Sequence, residues 1–486
     1  MKTLIGSGKS IGGAILFVGL AVCMTLKSAA IVTVSAGDDK DTSVSAYIQK
    51  YLDHKSALRL YFPSSVGRIY AANNAQPVWI TEKSDHKQSW QAMMLLDCVL
   101  QYGLFRADYH PNELLYDPLH DMLDEPHKVS NSRKAKFDIL LTDAMIALIN
   151  NLHYGKLNPV YSADRIDRGG KLPFKADDAL ISALQQNDFR LAVLRAQPQN
   201  KQYAAMQDRL RQLEGVYRGD CYAIPEEDVR KIAINMERLR WADIDGAPFL
   251  QINIPAFTLK FYLPDTVYTF KTVVGKVSAP TPSSLNSEIT YLTTLPEWKI
   301  PHKIFVREVL PKALKYPSYI EDSHFSIYDK NGNYISPSRK NLLQIRRNPD
   351  FYSAKQSNGC DNALGLIVFR FQNPYDIYLH DTPEQQLFKR DVRAFSHSCI
   401  RVENAQQLAE LVLTASGTES QIPLLRKAVK DQVTRNISFK RPMPIRITYL
   451  TCEINKGEMV TYKDIYDLDK RLEMALYEST ETLATE

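Results

Sequence analysis

The sequence predicts an α+β chain of more than one domain, with a mostly helical N-terminal region followed by a β-rich C-terminal one. Its 486 residues exceed what a single domain usually holds. Apolar residues recur at helical spacing over 91–104 and again over 137–152, where Ile139, Leu140, Met145, Ile146 and Ile149 share a face. After Trp241 the period falls to two: Leu250, Ile252 and Ile254 alternate, then Phe257, Leu259 and Phe261.

At the start of the chain, Lys2 and Lys9 precede an apolar run from Ile11 to Leu26, and Val34-Ser35-Ala36-Gly37 supplies small residues. This is the pattern of a secretory signal cleaved after Ala36. The run is short of the about 20 residues that cross a membrane, and an uncleaved membrane anchor reaching through Val34 is the other reading. Both predict export, and residues 1–36 are set apart from the folded protein. Hydrophobic residues at 44% and charged residues at 24% fit a globular chain with an ample core. The net charge of +5 falls to +2 without Lys2, Lys9 and Lys27. That is too little to argue for nucleic acid, and no basic run, zinc-finger spacing or phosphate-binding glycine loop appears.

Residues 40–230 read as helical. Shorter helices are expected over 177–184 and 191–196, with Asp177 and Asp188 near their starts and Pro111, Pro118, Pro126, Pro159 and Pro173 in the loops. His153 and Tyr154 read as packing residues. Strands follow over 267–274, 366–371 and 377–379, with a turn at Pro264-Asp265 and a last strand through Ile445, Ile447 and Tyr449. Asn404 is placed to cap a helix carrying Leu408, Ala409, Leu411 and Val412. Residues 298–359 form a polar, proline-containing insert, in which Asp329-Lys330-Asn331-Gly332 reads as a β-turn rather than a calcium loop. Residues 476–486 read as a tail.

The chemistry concentrates at Ser396-His397-Ser398-Cys399-Ile400-Arg401, with Tyr378-Leu379-His380-Asp381 upstream. A thiolate is the reactive form of cysteine, and a thiol of pKa about 8.5 wants a neighbouring base, which His380 or His397 can supply. Arg393 and Arg401 bracket the cysteine and would favour negative charge on sulfur or hold a carboxylate. A metal held by His380, His397 and Cys399 is the other reading, although His-x-Cys is a poor ligand spacing. Without Cys23, five cysteines remain: Cys98, Cys221, Cys360, Cys399 and Cys452. In an oxidising compartment the odd number predicts an intermolecular bond or one free thiol. Cys399 in that role leaves up to two bridges among the others, of undetermined pairing.

The segment Tyr378-Leu379-His380-Asp381-Thr382-Pro383, followed by Ser396-His397-Ser398-Cys399-Ile400-Arg401-Val402-Glu403-Asn404, resembles the signature of the L,D-transpeptidase (YkuD-type) catalytic domain, in particular its large Gram-negative members. Further matches occur in the same order. They are Asn235-Met236-Glu237-Arg238-Leu239-Arg240-Trp241, Val274-Gly275-Lys276, Pro296-Glu297-Trp298, Asn362-Ala363-Leu364-Gly365, Ile445 to Tyr449 and Asp464-Ile465-Tyr466-Asp467. The resemblance spans residues 232–475. It implies a helical scaffold domain over 40–230, a β-sandwich-like catalytic domain, and a capping subdomain in the 298–359 insert. Two departures stand out. Ser398 occupies the family's usual glycine, where a positive φ is expected and serine costs on the order of 1 kcal/mol. The small peptidoglycan-binding module of large members has no room between the scaffold and catalytic domains.

By resemblance, Cys399 is the nucleophile, His380 the proton acceptor and donor, and His397 a supporting residue. Ser396, Ser398, Tyr378, Arg401 and Asp381 would shape the substrate and oxyanion site, with Arg401 bracing the loop. The implied enzyme is a periplasmic transferase of peptidoglycan synthesis and cell-shape maintenance that needs no metal or cofactor. It would join peptidoglycan stem tetrapeptides through a cysteine thioester and release D-alanine. An L,D-carboxypeptidase, a protein-to-murein attachment enzyme and a non-catalytic peptidoglycan-binding protein are the alternatives.

Overall fold

A computed structural model describes residues 42–53, 58–81, 86–216, 227–242, 244 and 246–481. The predicted signal or anchor, Cys23, Cys221 and Ile224-Pro225-Glu226 lie outside the described residues. No described helix is long and apolar enough to cross a membrane.

The N-terminal region packs around one helix, Asn131–His153, whose residues from Phe137 to Leu152 are all buried. Two aspartates on it pin the chain that passes over it. Asp138 accepts the backbone N–H groups of Val78, Trp79 and Ile80, each at 2.8 Å, and the Tyr70 hydroxyl at 2.6 Å. Asp143 accepts those of Tyr61 and Phe62 and pairs with His110 at 2.7 Å. These bonds satisfy carboxylates that burial would otherwise penalise. The helix expected over 91–104 is instead Lys87–Asp97 followed by a 3-10 turn, Val99–Tyr102. Gly103 ends that turn at φ 63°, where a Cβ would meet Ala233 Cα at 2.9 Å. Helices Ala176–Leu184 and Phe189–Leu194 follow, the second capped by Asp188.

Helix Glu227–Trp241 straddles the boundary expected at 230–232 and joins the two halves. Toward the scaffold, buried Glu237 pairs with Arg240 at 3.1 Å and accepts the Leu157 N–H at 2.7 Å. Toward the C-terminus, Arg238 and Lys231 reach Asp469 at 2.5 and 2.6 Å, and Thr451 Oγ1 donates to it at 2.7 Å. Asp469 starts helix Asp469–Glu481, on which Leu476 and Tyr477 are buried beside Ala233 and Ile234. The tail expected from residue 476 is therefore helical through 481, because Leu472 and Leu476 recur at helical spacing and pack inward.

The C-terminal half contains strands β1 (Phe249–Asn253), β2 (Thr258–Tyr262), β3 (Val267–Gly275) and β4 (Leu285–Thr294). In the insert come β5 (Trp298–Lys299), β6 (Phe325–Asp329), β7 (Tyr334–Ile335) and β8 (Tyr352–Gln356). Then follow β9 (Ile367–Phe371), β10 (Leu379–His380), β11 (Ala394–Ser396), β12 (Ile400–Val402) and β13 (Arg435–Thr448). The main sheet runs β11-β3-β12-β10-β9-β4-β13-β1-β2. It returns on itself because the first half of β3 pairs with β2 and the end of β3 with β12. Leu408, Ala409 and Val412 of helix Ala405–Ala415 join its core. Asn404 sits at the cap of that helix but at φ 54°, and its side chain makes no capping bond.

The insert is more than a polar elaboration. Its strands form a separate sheet, β5-β8-β6-β7, over a core of Phe305, Leu310, Ile327, Leu342 and Ile345. Asp329 turns the β6–β7 hairpin by accepting the N–H groups of Asn331 and Asn333 at 2.8 and 2.9 Å.

Replacing Asp469 by Ala strands Arg238 and should cost about 3 kcal/mol in urea unfolding. Burial raises the Asp469 pKa, but the Arg238 charge and the bonds from Lys231 and Thr451 outweigh it, and the net shift is downward. A depressed carboxyl contributes stability above its unfolded pKa of about 4 and loses it as pH falls through the folded value. The variant should therefore show less acid destabilisation than the parent below about pH 4.

Candidate active site

Two short parallel strands set the site. Leu379 of β10 lies opposite Ile400 of β12, and His380 opposite Arg401. The Ile400 N–H donates to the Tyr378 carbonyl at 3.1 Å. One step earlier in this register, Cys399 lies beside Tyr378. Side chains alternate across a strand, so Cys399, Tyr378 and His380 share a face. The Tyr378 and His380 rings are 5.7 Å apart, and the Arg370 guanidinium stacks on Tyr378 at 5.3 Å.

His380 is buried, and its Nδ1 lies 2.5 Å from the Asp381 carbonyl. That contact assigns the proton to Nδ1 and leaves Nε2 with its lone pair. Burial, with the Arg401 charge adding to it, pushes the His380 pKa down to about 3, so the ring is neutral. The Asp381 carboxylate does not touch the imidazole. It accepts the Leu366 N–H at 2.9 Å and packs on Gly365, whose φ is +63° and where a Cβ would lie 2.6 Å from that side chain.

Cys399 is half-buried, and Tyr378, its neighbour in this register, acts to lower the thiol pKa. The expectation that flanking arginines would favour a thiolate is not met. Burial raises the thiol pKa, and this outweighs the lowering by Tyr378 and by the Arg401 and Arg370 charges. The second arginine is Arg370, not Arg393. Arg393 donates to the carbonyls of Thr272, Arg390 and Phe257. Arg401 pairs with Glu384. The resting site therefore holds a neutral thiol and a neutral imidazole on one face.

Ser398 stands at φ 75°. Its carbonyl accepts Thr281 Oγ1 at 2.8 Å, and its hydroxyl donates to the Ala279 carbonyl at 3.3 Å. Thr281 Oγ1 also accepts the Gly275 N–H at 2.9 Å, and the Tyr466 hydroxyl donates to the Gly275 carbonyl at 2.6 Å. Tyr466 is held in turn by a 2.7 Å bond from its N–H to the Tyr449 hydroxyl, which donates to Asp464 at 2.5 Å. A Cβ at Gly275 would lie 2.4 Å from the Ala279 carbonyl. Thr281 carried no signal of its own in the sequence, whereas Gly275 and Tyr466 fall within the quoted matches.

Buried Ser396 accepts the Lys276 N–H on its carbonyl at 2.9 Å. His397 does not support the thiol. Its Nε2 is 2.5 Å from Glu308 of the insert and 3.1 Å from Lys276 Nζ. The insert also approaches Tyr378 through Trp298. No disulfide joins Cys98, Cys360, Cys399 and Cys452. Among the described residues, no group of three or more His, Cys, Asp or Glu is arranged to hold a metal.

Comparison with known proteins agrees with this architecture. Residues 64–210 match a family described as a scaffold domain, and residues 247–433 match the L,D-transpeptidase catalytic domain, YkuD. A Haemophilus influenzae protein described as a "Putative L,D-transpeptidase" is 27% identical over 441 residues, covering 87% of this chain and 81% of that protein.

Two expectations follow. Ser398→Gly relieves a left-handed serine but adds freedom to the unfolded chain, so thermal unfolding should move by less than about 1 kcal/mol. Ser398→Val, β-branched at the same φ, should lose about 2 kcal/mol. The neutral thiol should react slowly with iodoacetamide at pH 7, and its rate should still be climbing at pH 9. A rate already level at pH 7 would mean a preformed thiolate.

Proposed function

We propose that this chain, whose residues 247–433 are an L,D-transpeptidase catalytic domain set beside a scaffold domain, joins peptidoglycan stem peptides in the periplasm through a thioester on Cys399. The shared face of Cys399, Tyr378 and His380 carries the reading. It sets a nucleophile next to a neutral, oriented base.

In the first step the sulfur attacks the carbonyl of the third stem residue as His380 Nε2 takes the thiol proton. The developing oxyanion is met by backbone N–H groups of the Ser398–Cys399 turn and by Tyr378. The C–N bond to the terminal D-alanine then breaks, and the imidazolium returns its proton to the departing amine. In the second step the side-chain amine of another stem attacks the thioester carbonyl and gives up a proton to His380. The C–S bond breaks, and the thiol is reprotonated. Asp381 acts through its backbone carbonyl, as the atom that orients the ring. Arg401, paired with Glu384, is a positioning residue.

The insert favours an amine over water as acceptor. Trp298 and Glu308 bring the insert up to Tyr378 and His397, the neighbours of Cys399, and a covered thioester is a poorer target for bulk water. Export by the N-terminal segment belongs to the same reading, because the substrate lies outside the inner membrane.

The test is to incubate residues 37–486 with disaccharide-tetrapeptide and follow protein and product by intact mass. The expected result is a transient acyl adduct on Cys399, free D-alanine and a dimeric muropeptide, all absent in Cys399→Ala. D-alanine without dimer would make the protein a carboxypeptidase. A folded, reduced protein that forms no adduct would make it a binding protein.

A further inference from the structure

Outside the thiol–imidazole pair, the cleft contains a second group of charges that the mechanism does not use. Lys276 follows β3, and His397 follows β11, two residues before the nucleophile. The strands that carry them are hydrogen-bonded, the Lys276 N–H donating to the Ser396 carbonyl. Into this pair the insert lowers one carboxylate. Glu308 Oε1 is 2.5 Å from His397 Nε2 and 3.7 Å from Lys276 Nζ. Glu308 comes from a π-helical turn, Phe305–Val309, whose buried Phe305 and Val309 anchor it in the core of the insert. Such turns interrupt regular helices mostly where function needs them. The bonds from His397 and Lys276 overcome the burial that would raise the Glu308 pKa and hold its carboxyl below the usual range. All three side chains remain more than 30% exposed. An ion pair this open contributes little to stability and exchanges readily for another carboxylate.

We propose that Lys276 and His397 form a substrate-carboxylate subsite, and that Glu308 occupies it in the free protein as an internal carboxylate that the incoming stem displaces. This rests on the stem-peptide reading above. A stem tetrapeptide offers two carboxylates close to the scissile amide, one on the side chain of the third residue and one on the terminal D-alanine. Either would exchange for Glu308, and in doing so would break a contact between the insert and the catalytic loop. Binding and opening of the insert are then one event, driven by the difference between two carboxylates competing for the same cations.

The test measures binding of disaccharide-tetrapeptide to Cys399→Ala protein by calorimetry, with Lys276→Met or Glu308→Gln added, alongside turnover by the corresponding Cys399 proteins. Loss of Lys276 should weaken binding about tenfold, and Glu308→Gln should tighten it about fivefold by removing the competitor. Peptides amidated at one carboxylate or the other identify the group bound: the one whose amidation erases the effect of Lys276→Met occupies the subsite. Equal affinity in all three proteins, or weaker binding in Glu308→Gln, would overturn the subsite even if cross-linking is normal. The expected shifts without D-alanine release would keep the subsite and reject the transpeptidase reading. No binding by any of the proteins would overturn both.

Discussion

The parallel register of β10 against β12 is the constraint on which the rest of the site depends. Two residue pairs, Leu379 with Ile400 and His380 with Arg401, bring Cys399 and His380, about twenty residues apart in sequence, onto one face. A slip of one residue would turn Cys399 to the other face. Strands this short do not hold a register alone. β10 is fixed from its other side by β9, and β12 by the end of β3.

A second line of support runs beneath the nucleophile turn. Ser398 is held by Thr281, Thr281 by Gly275, Gly275 by Tyr466, and Tyr466 by Tyr449 and Asp464. A few residues beyond Asp464, Asp469 receives Arg238 from the helix that is itself bonded to the scaffold through Glu237. The helical half of the chain therefore reaches the catalytic loop through a continuous series of polar contacts. None of these groups touches the thiol, and all of them bear on where it sits.

Local signals made much of this legible in advance. The α-then-β order, the strands near 250 and 258 and the buried helix around residue 145 followed from periodicity, and the strand near 267 from its β-branched and aromatic residues. The ordered matches from Asn235 to Asp467 mark the elements that converge on the site, and Ser398 takes the positive φ that a usual glycine implies. Contacts between distant segments could not be read this way. Nothing near Glu308 says that it meets His397, and nothing near Arg370 says that it covers Tyr378. The thiolate expectation failed because counting neighbouring arginines omits burial, which acts on sulfur more strongly than they do. Asn404 illustrates the same limit: a residue type suited to capping was used for its tolerance of a left-handed backbone.

The protonated resting state of Cys399 has a consequence for its survival. Oxidation to sulfenic acid and exchange into mixed disulfides both begin from the thiolate. A half-buried thiol whose pKa is raised presents little of that form, while Cys98 and Cys360 stand exposed. An oxidant reaching this protein meets those outer sulfurs first. Under the proposed mechanism, that protection has a cost: Cys399 needs His380 to take its proton before it can attack.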